Sequence, residues 1–114
     1  MQRHLRLRNR ADFRRLRTQG KTRHHGVLVL SFVPNSLDHN RYGFIVSKRL
    51  GNAVVRNRVR RRLRTCLSVL EPQTRPGYDI LLITRRPILM LQYRELLAIV
   101  HQLLQQAGVL ELTE

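Results

Sequence analysis

The sequence predicts an α+β two-layer sandwich, element order α-β-β-β-α-β-α, built as one domain over residues 1–114. Three observations carry this. Short apolar runs bounded by turn residues mark the strands, while a 3.6-residue apolar period appears after Gly51 and again after Gln92. A chain of 114 residues also has room for one modest core and not for two.

The elements follow in order. A first helix is expected over Arg10–Gln19, with Ala11, Phe13 and Leu16 as its apolar contacts and Gly20 at its end. Lys21–His25 supplies a short edge strand. "VLVLSFV" at residues 27–33 is β-rich and closes on Pro34-Asn35-Ser36, a turn signal. "RYGFIVS" at residues 41–47 is a further strand, and the polar loop 34–40 predicts an antiparallel hairpin between these two. Asn52 is a suitable N-cap for a helix whose apolar stripe is Val55, Val59, Leu63, Cys66, Leu67 and Leu70, stopped by Pro72. "YDILLIT" is too apolar to be half exposed and reads as a buried strand. The last helix, near residues 92–106, buries Leu96, Ile99, Val100, Leu103 and Leu104, and Gly108 caps it.

Charge narrows the function. There are 22 Lys and Arg against 7 Asp and Glu, a formal net charge of +15, which calls for a polyanionic partner. Only Lys21 and Lys48 are lysines. Arginine presents a planar fork that grips phosphate bidentately and stacks on bases, which favours nucleic acid over an anionic membrane. The single cysteine, Cys66, excludes an intrachain disulfide and a CxxC metal site and suits a reducing, cytoplasmic setting. The N-terminus lacks the apolar run of a secretory signal, and no apolar stretch approaches a membrane span.

The densest segment is "SKRLGNAVVRNRVRRRLR", residues 47–64, with eight basic residues and no carboxylate. On a helix, Asn57, Arg60, Arg61 and Arg64 lie opposite the Val55/Val59/Leu63 stripe; Arg58 and Arg62 fill one flank and Arg56 sits near the apolar edge. A solvated charged face normally mixes signs and makes i,i+4 ion pairs. This one has no acid to pair with, so it reads as a ridge for the phosphates of a nucleic-acid backbone.

These residues resemble the signature of the bacterial ribonuclease P protein family: a Ser-Lys-Arg strand end, a Gly-Asn-Ala-Val turn, then Arg-Asn-Arg and further basic residues. "ADFRRLRTQG", "GYDILLITRRP" and "LQYRELLAIVHQLL" are similar to the family's first helix, its buried strand and its closing helix, so the likeness spans nearly the whole chain. The resemblance implies a ribosomal-protein-like domain with a left-handed βαβ crossover, against the usual right-handed rule. It implies the protein subunit of a ribonucleoprotein that hydrolyses one phosphodiester to release the 5′ leader of precursor tRNA. Catalysis would belong to the RNA subunit, which holds magnesium. No obligatory protein partner is implied. By the same resemblance Lys48, Arg49, Asn52, Arg56, Asn57, Arg58, Arg60, Arg61 and Arg64 meet the catalytic RNA or nearby phosphates, whereas Arg85 and Arg94 lie outside the motif. Phe13 lines a cleft for the single-stranded leader, where a base can stack. Relatives can carry a second aromatic where this chain has Arg17, and another near Ser31, so leader contacts here lean on charge, with Arg17 among them.

The chain's own residues argue against protein-borne nuclease chemistry. Two-metal hydrolysis needs converging carboxylates, and Asp12, Asp38, Glu71, Asp79, Glu95, Glu111 and Glu114 are scattered. Acid–base cleavage wants a histidine pair. His24 and His25 are adjacent and face opposite ways on a strand, His39 lies in a turn, and His4 and His101 lie near the ends. Cys66 falls in the apolar stripe. The competing assignments are weaker. A ribosomal or ribosome-assembly protein shares the charge but not the Arg-Asn-Arg signature; a DNA-binding module wants a helix-turn-helix; a membrane-surface helix wants bulky aromatics on its apolar face.

Overall fold

The computed structural model describes Arg6, Leu7 and residues 9–111. Helix α1 (Arg10–Gln19) starts where Asn9 Oδ1 accepts a hydrogen bond from the Ala11 N–H at 2.8 Å, and it ends at Gly20. Strands β1 (Lys21–His25) and β2 (Leu28–Pro34) form an antiparallel hairpin, followed by β3 (Arg41–Ile45) and β4 (Tyr78–Thr84). The sheet order is β1-β2-β4-β3, with β4 antiparallel to β2 and parallel to β3.

The hairpin expected between β2 and β3 is therefore absent, because β4 enters between them. Burial explains the choice. β2 and β4 are apolar on both faces and take the two interior positions, while β3 carries Arg41 and an exposed Ile45 and takes an edge. The 34–40 loop instead crosses the start of β4. Two buried asparagines pin it there: Asn35 Nδ2 donates to Asp79 Oδ1 at 3.0 Å, and Asn40 donates to the Arg75 carbonyl and accepts from the Tyr78 N–H.

Parallel neighbours need a crossover, and helix α2 (Ala53–Leu70) supplies it. Its start matches the sequence: Asn52 Oδ1 accepts from the Val55 N–H at 3.0 Å. Gly51 just before it has φ 147°, and a Cβ there would meet the Val55 side chain at 3.1 Å, so this corner requires glycine. Helix α3 (Tyr93–Gln106) begins with the Gln92 N–H donating to Glu95 Oε1 at 3.0 Å.

The sheet and the α2/α3 layer form the sandwich. Leu30, Phe32, Ile80 and Leu82 meet Val59, Leu63, Cys66 and Leu67 of α2 and Val100, Leu103 and Leu104 of α3. Alternation sends Val33 and Leu81 to the other face, where they meet Leu7 and Leu16, with Phe13 and Ile83 at the margin. Helix α1 thus lies across the face opposite α2.

A buried ionic cluster fixes α1 in place. Asp79 on β4 is fully buried and accepts from Arg15 of α1 at 2.5 Å and from Arg41 of β3 at 2.8 and 2.9 Å. Arg41 also reaches back to Asp12 of α1 at 3.0 Å. Burial by itself pushes the Asp79 carboxyl up, but hydrogen bonds from Arg41, Asn35 and Arg15 outweigh it and hold the group below the usual carboxylate range. The cluster's contribution is therefore present above the unfolded-state value of about 3.9 and disappears as pH falls below it. Asp79→Asn is expected to cost roughly 3 kcal/mol at neutral pH, because Arg15 loses its carboxylate partner and Arg41 keeps only Asp12, while both retain some solvent access. It should also flatten the loss of stability on acidification below about pH 4. Urea titrations across pH check both; wild-type stability in the variant at pH 7 would contradict the cluster's role.

Candidate nucleic-acid interface

The basic segment folds as a short 3-10 turn, Lys48–Leu50, followed by α2. Leu50, Val59 and Leu63 are buried, and that anchorage turns the charged side of the helix outward. Lys48, Arg49, Asn52, Asn57, Arg58 and Arg61 are exposed; Arg56, Arg60, Arg62 and Arg64 are half-buried. No acidic residue occurs anywhere between Lys48 and Leu70.

Neighbours hold several of these side chains. Arg60 Nη1 donates to Asn57 Oδ1 at 2.9 Å, so the asparagine between the arginines orients one of them. The Arg64 guanidinium lies 5.8 Å from the centre of the Phe44 ring. Partial burial, then the nearby charges of Arg6 and Arg60, push its pKa down. The Nε atoms of Arg56 and Arg64 are buried without an acceptor from the protein. These features describe cations held close together at an electrostatic cost that an approaching phosphate relieves. Asn52 has its Oδ1 committed to capping α2, which leaves Nδ2 as its donor.

On the opposite face, Phe13, Leu16 and Arg17 of α1 and Ser31, Leu81 and Ile83 of the sheet line a cleft of about 270 Å3. Gly20 closes the helix end onto the sheet: a Cβ there would lie 2.3 Å from the Leu16 carbonyl oxygen of α1 and 3.0 Å from Ser31 Oγ on the sheet. Phe13 also borders a second hollow with Arg10, Arg14 and Arg17. It thus stands between an apolar floor and a set of cations. Phe32 points into the α2/α3 core, as strand alternation requires, and Ser31 faces the cleft.

One basic group was not legible from the motif. Arg85 and Arg86 share a concavity of about 660 Å3 with Ser47 and Arg49. Parallel pairing of β3 with β4 brings both strand ends to the same edge, so residues following β4 join those following β3. Arg94, on α3, is not among them.

Five of the acidic residues are engaged elsewhere. Asp12 and Asp79 serve the cluster under α1, Asp38 pairs with His39 at 2.9 Å, Glu71 accepts from the buried Tyr42 hydroxyl, and Glu95 caps α3. Among the described residues no three His, Cys, Asp or Glu side chains are grouped to hold a metal ion. His24 and Thr22 share a hydrogen bond of 3.3 Å on β1, and His4 and Glu114 fall outside the described residues. Burial pushes the Cys66 thiol up to about 11, which leaves no thiolate to act as a nucleophile at neutral pH. Among the described residues no helix is long and apolar enough to cross a membrane.

Comparison with known proteins identifies the fold and the family. The family model for ribonuclease P matches residues 1–108. The ribonuclease P protein component of Roseiflexus castenholzii is 46% identical, over 97% of this chain and 92% of that protein. That of Herpetosiphon aurantiacus is 42% identical, over 94% and 87%. The crystal structure of the Staphylococcus aureus RNase P protein superposes with a TM-score of 0.86 at 30% identity, covering 94% of this chain and 98% of that one. The Thermotoga maritima RNase P protein gives 0.80 at 26% identity, covering 88% and 96%. Signature, fold and overall likeness lead to one assignment: the chain belongs to the ribonuclease P protein family.

Proposed function

We propose that the chain, as the RNA-binding protein component of ribonuclease P, divides two RNA contacts between the two faces of its sheet. The observation that carries this is the unpaired cationic surface of Lys48, Arg49 and α2, set across the sheet from an apolar cleft rimmed by arginines. The α2 ridge meets ribonuclease P RNA: Arg58 and Arg61 grip phosphates from exposed positions, and Arg56, Arg60 and Arg64 do so from half-buried, pre-oriented ones. The cleft receives the 5′ leader of precursor tRNA, with Phe13 stacking on a base and Arg17 neutralising its phosphates. Hydrolysis of the leader phosphodiester rests with the RNA subunit, and magnesium held there supplies the metal chemistry. This division is supported by the engagement of the protein's carboxylates in structural bonds. The buried, reduced Cys66 suits a cytoplasmic site of action.

Three outcomes test the reading. Single-turnover cleavage of a leader-bearing precursor tRNA at low magnesium should require both the cognate ribonuclease P RNA and this protein. Equal stimulation by an unrelated basic protein would contradict a specific subunit role. Affinity for that RNA should fall steeply with salt, and Arg58→Ala with Arg61→Ala should lower the logarithmic salt slope by about 2, whereas Arg94→Ala leaves it unchanged. Equal effects at all three positions would mean that net charge alone acts. Phe13→Ala should weaken holoenzyme affinity for leader-bearing precursor about tenfold and leave mature tRNA affinity unchanged.

A further inference from the structure

A further concavity has a different chemistry from the ridge and the cleft. Val55 and Val59 of α2, Leu96 of α3, and Ile88 and Leu89 of the 3-10 turn Arg86–Met90 enclose about 220 Å3, and Arg58 and Arg62 complete the lining. Drug-sized ligands occupy roughly 300–1,000 Å3, so this space suits a single flat ring system. Apolar surface continues outside it: Val54 is 76% exposed, Met90 84% and Leu89 40%. Scattered exposed apolar residues are ordinary, but Val54 directly precedes a lining residue on α2, and Leu89 and Met90 belong to the turn that forms the pocket wall, beside the arginines of that helix. A contact made by charge alone has no use for them.

The pocket's chemistry selects its occupant. The charged residues of its lining are Arg58 and Arg62, one turn apart on α2, and no acid is part of that lining. The partner must therefore present a compact apolar face and negative charge within a few ångströms of each other, as a nucleotide does. Aliphatic side chains and guanidinium planes both accept the face of a base, and RNA recognition commonly takes unstacked bases. We infer that this pocket holds one unstacked nucleobase of ribonuclease P RNA, with its flanking phosphates on Arg58 and Arg62, an inference that rests on the reading that α2 faces that RNA. The site would add a salt-insensitive contact to a salt-sensitive ridge, and so help select a particular RNA over polyanions in general.

The test uses the full chain with its cognate ribonuclease P RNA. Leu89→Ser should weaken binding roughly three- to tenfold at every salt concentration with the slope unchanged, and Leu89→Met should restore it. Arg62→Gln should lower the slope by about 1. Cys66 is fully buried, so Leu89→Cys provides one reactive thiol for a photo-crosslinker. Crosslinking should then fall on a single nucleotide position of the RNA. Wild-type affinity in Leu89→Ser overturns the pocket assignment. Crosslinks only to a second copy of the protein, or to none of the RNA, overturn it as well. In either case, continued precursor cleavage by the wild-type holoenzyme leaves the subunit assignment standing; failure of the wild-type protein to bind the RNA removes both.

Discussion

The carboxylate of Asp79 is fully buried in an interior strand, and both of its oxygens are taken by arginines from different elements. A lone charge in that position would cost several kcal/mol. Its compensation by Arg15 and Arg41 ties α1 to β3 and β4, on the face of the sheet that α2 and α3 leave open. Few apolar residues hold α1 down: Leu16 is buried, and Phe13 is only partly so. The ionic cluster therefore supplies much of what positions this helix, and with it the distance between Phe13 and the floor of the cleft.

The same arrangement sorts charge through the molecule. Asp12 and Asp79 are drawn to the α1 cluster, Glu71 to Tyr42, and Glu95 to a helix cap. Helix α2 has no carboxylate of its own, so its arginines repel one another; the pKa of Arg64 is lowered by partial burial first, and then by Arg6 and by Arg60 of the same helix. Burial of Val59, Leu63, Cys66, Leu67 and Leu70 keeps the helix folded despite that repulsion. The like charges left facing one another on this helix are an electrostatic cost that a bound polyanion would offset.

Much of this was legible in the sequence, for identifiable reasons. The bounds of α1, the Asn52 cap and the α2 stripe are local features, set by residues within a turn or two of each other. The ridge followed from helical spacing, and the opposite facing of Ser31 and Phe32 from strand alternation. Strand order was not legible. Apolar runs show that β2 and β4 bury both faces but not which strand lies between which, and the turn signal at residues 34–36 serves a loop that crosses β4 rather than a hairpin. The Arg15–Asp79 pair spans 64 residues, and the meeting of Arg85 and Arg86 with Arg49 depends on parallel pairing. No short-range pattern encodes either. The Leu89 pocket likewise arises where a turn, α2 and α3 converge.

The central claim is that the two faces of one sheet serve two different RNAs. Amide hydrogen exchange of the protein, followed first with ribonuclease P RNA alone and then after addition of leader-bearing precursor tRNA, addresses it most directly. The account predicts that the first RNA slows exchange in residues 48–70, and that the precursor adds protection in α1 and around Ser31 with little further change in α2. Protection of the same residues by both RNAs, or an α2 untouched by ribonuclease P RNA, would contradict it.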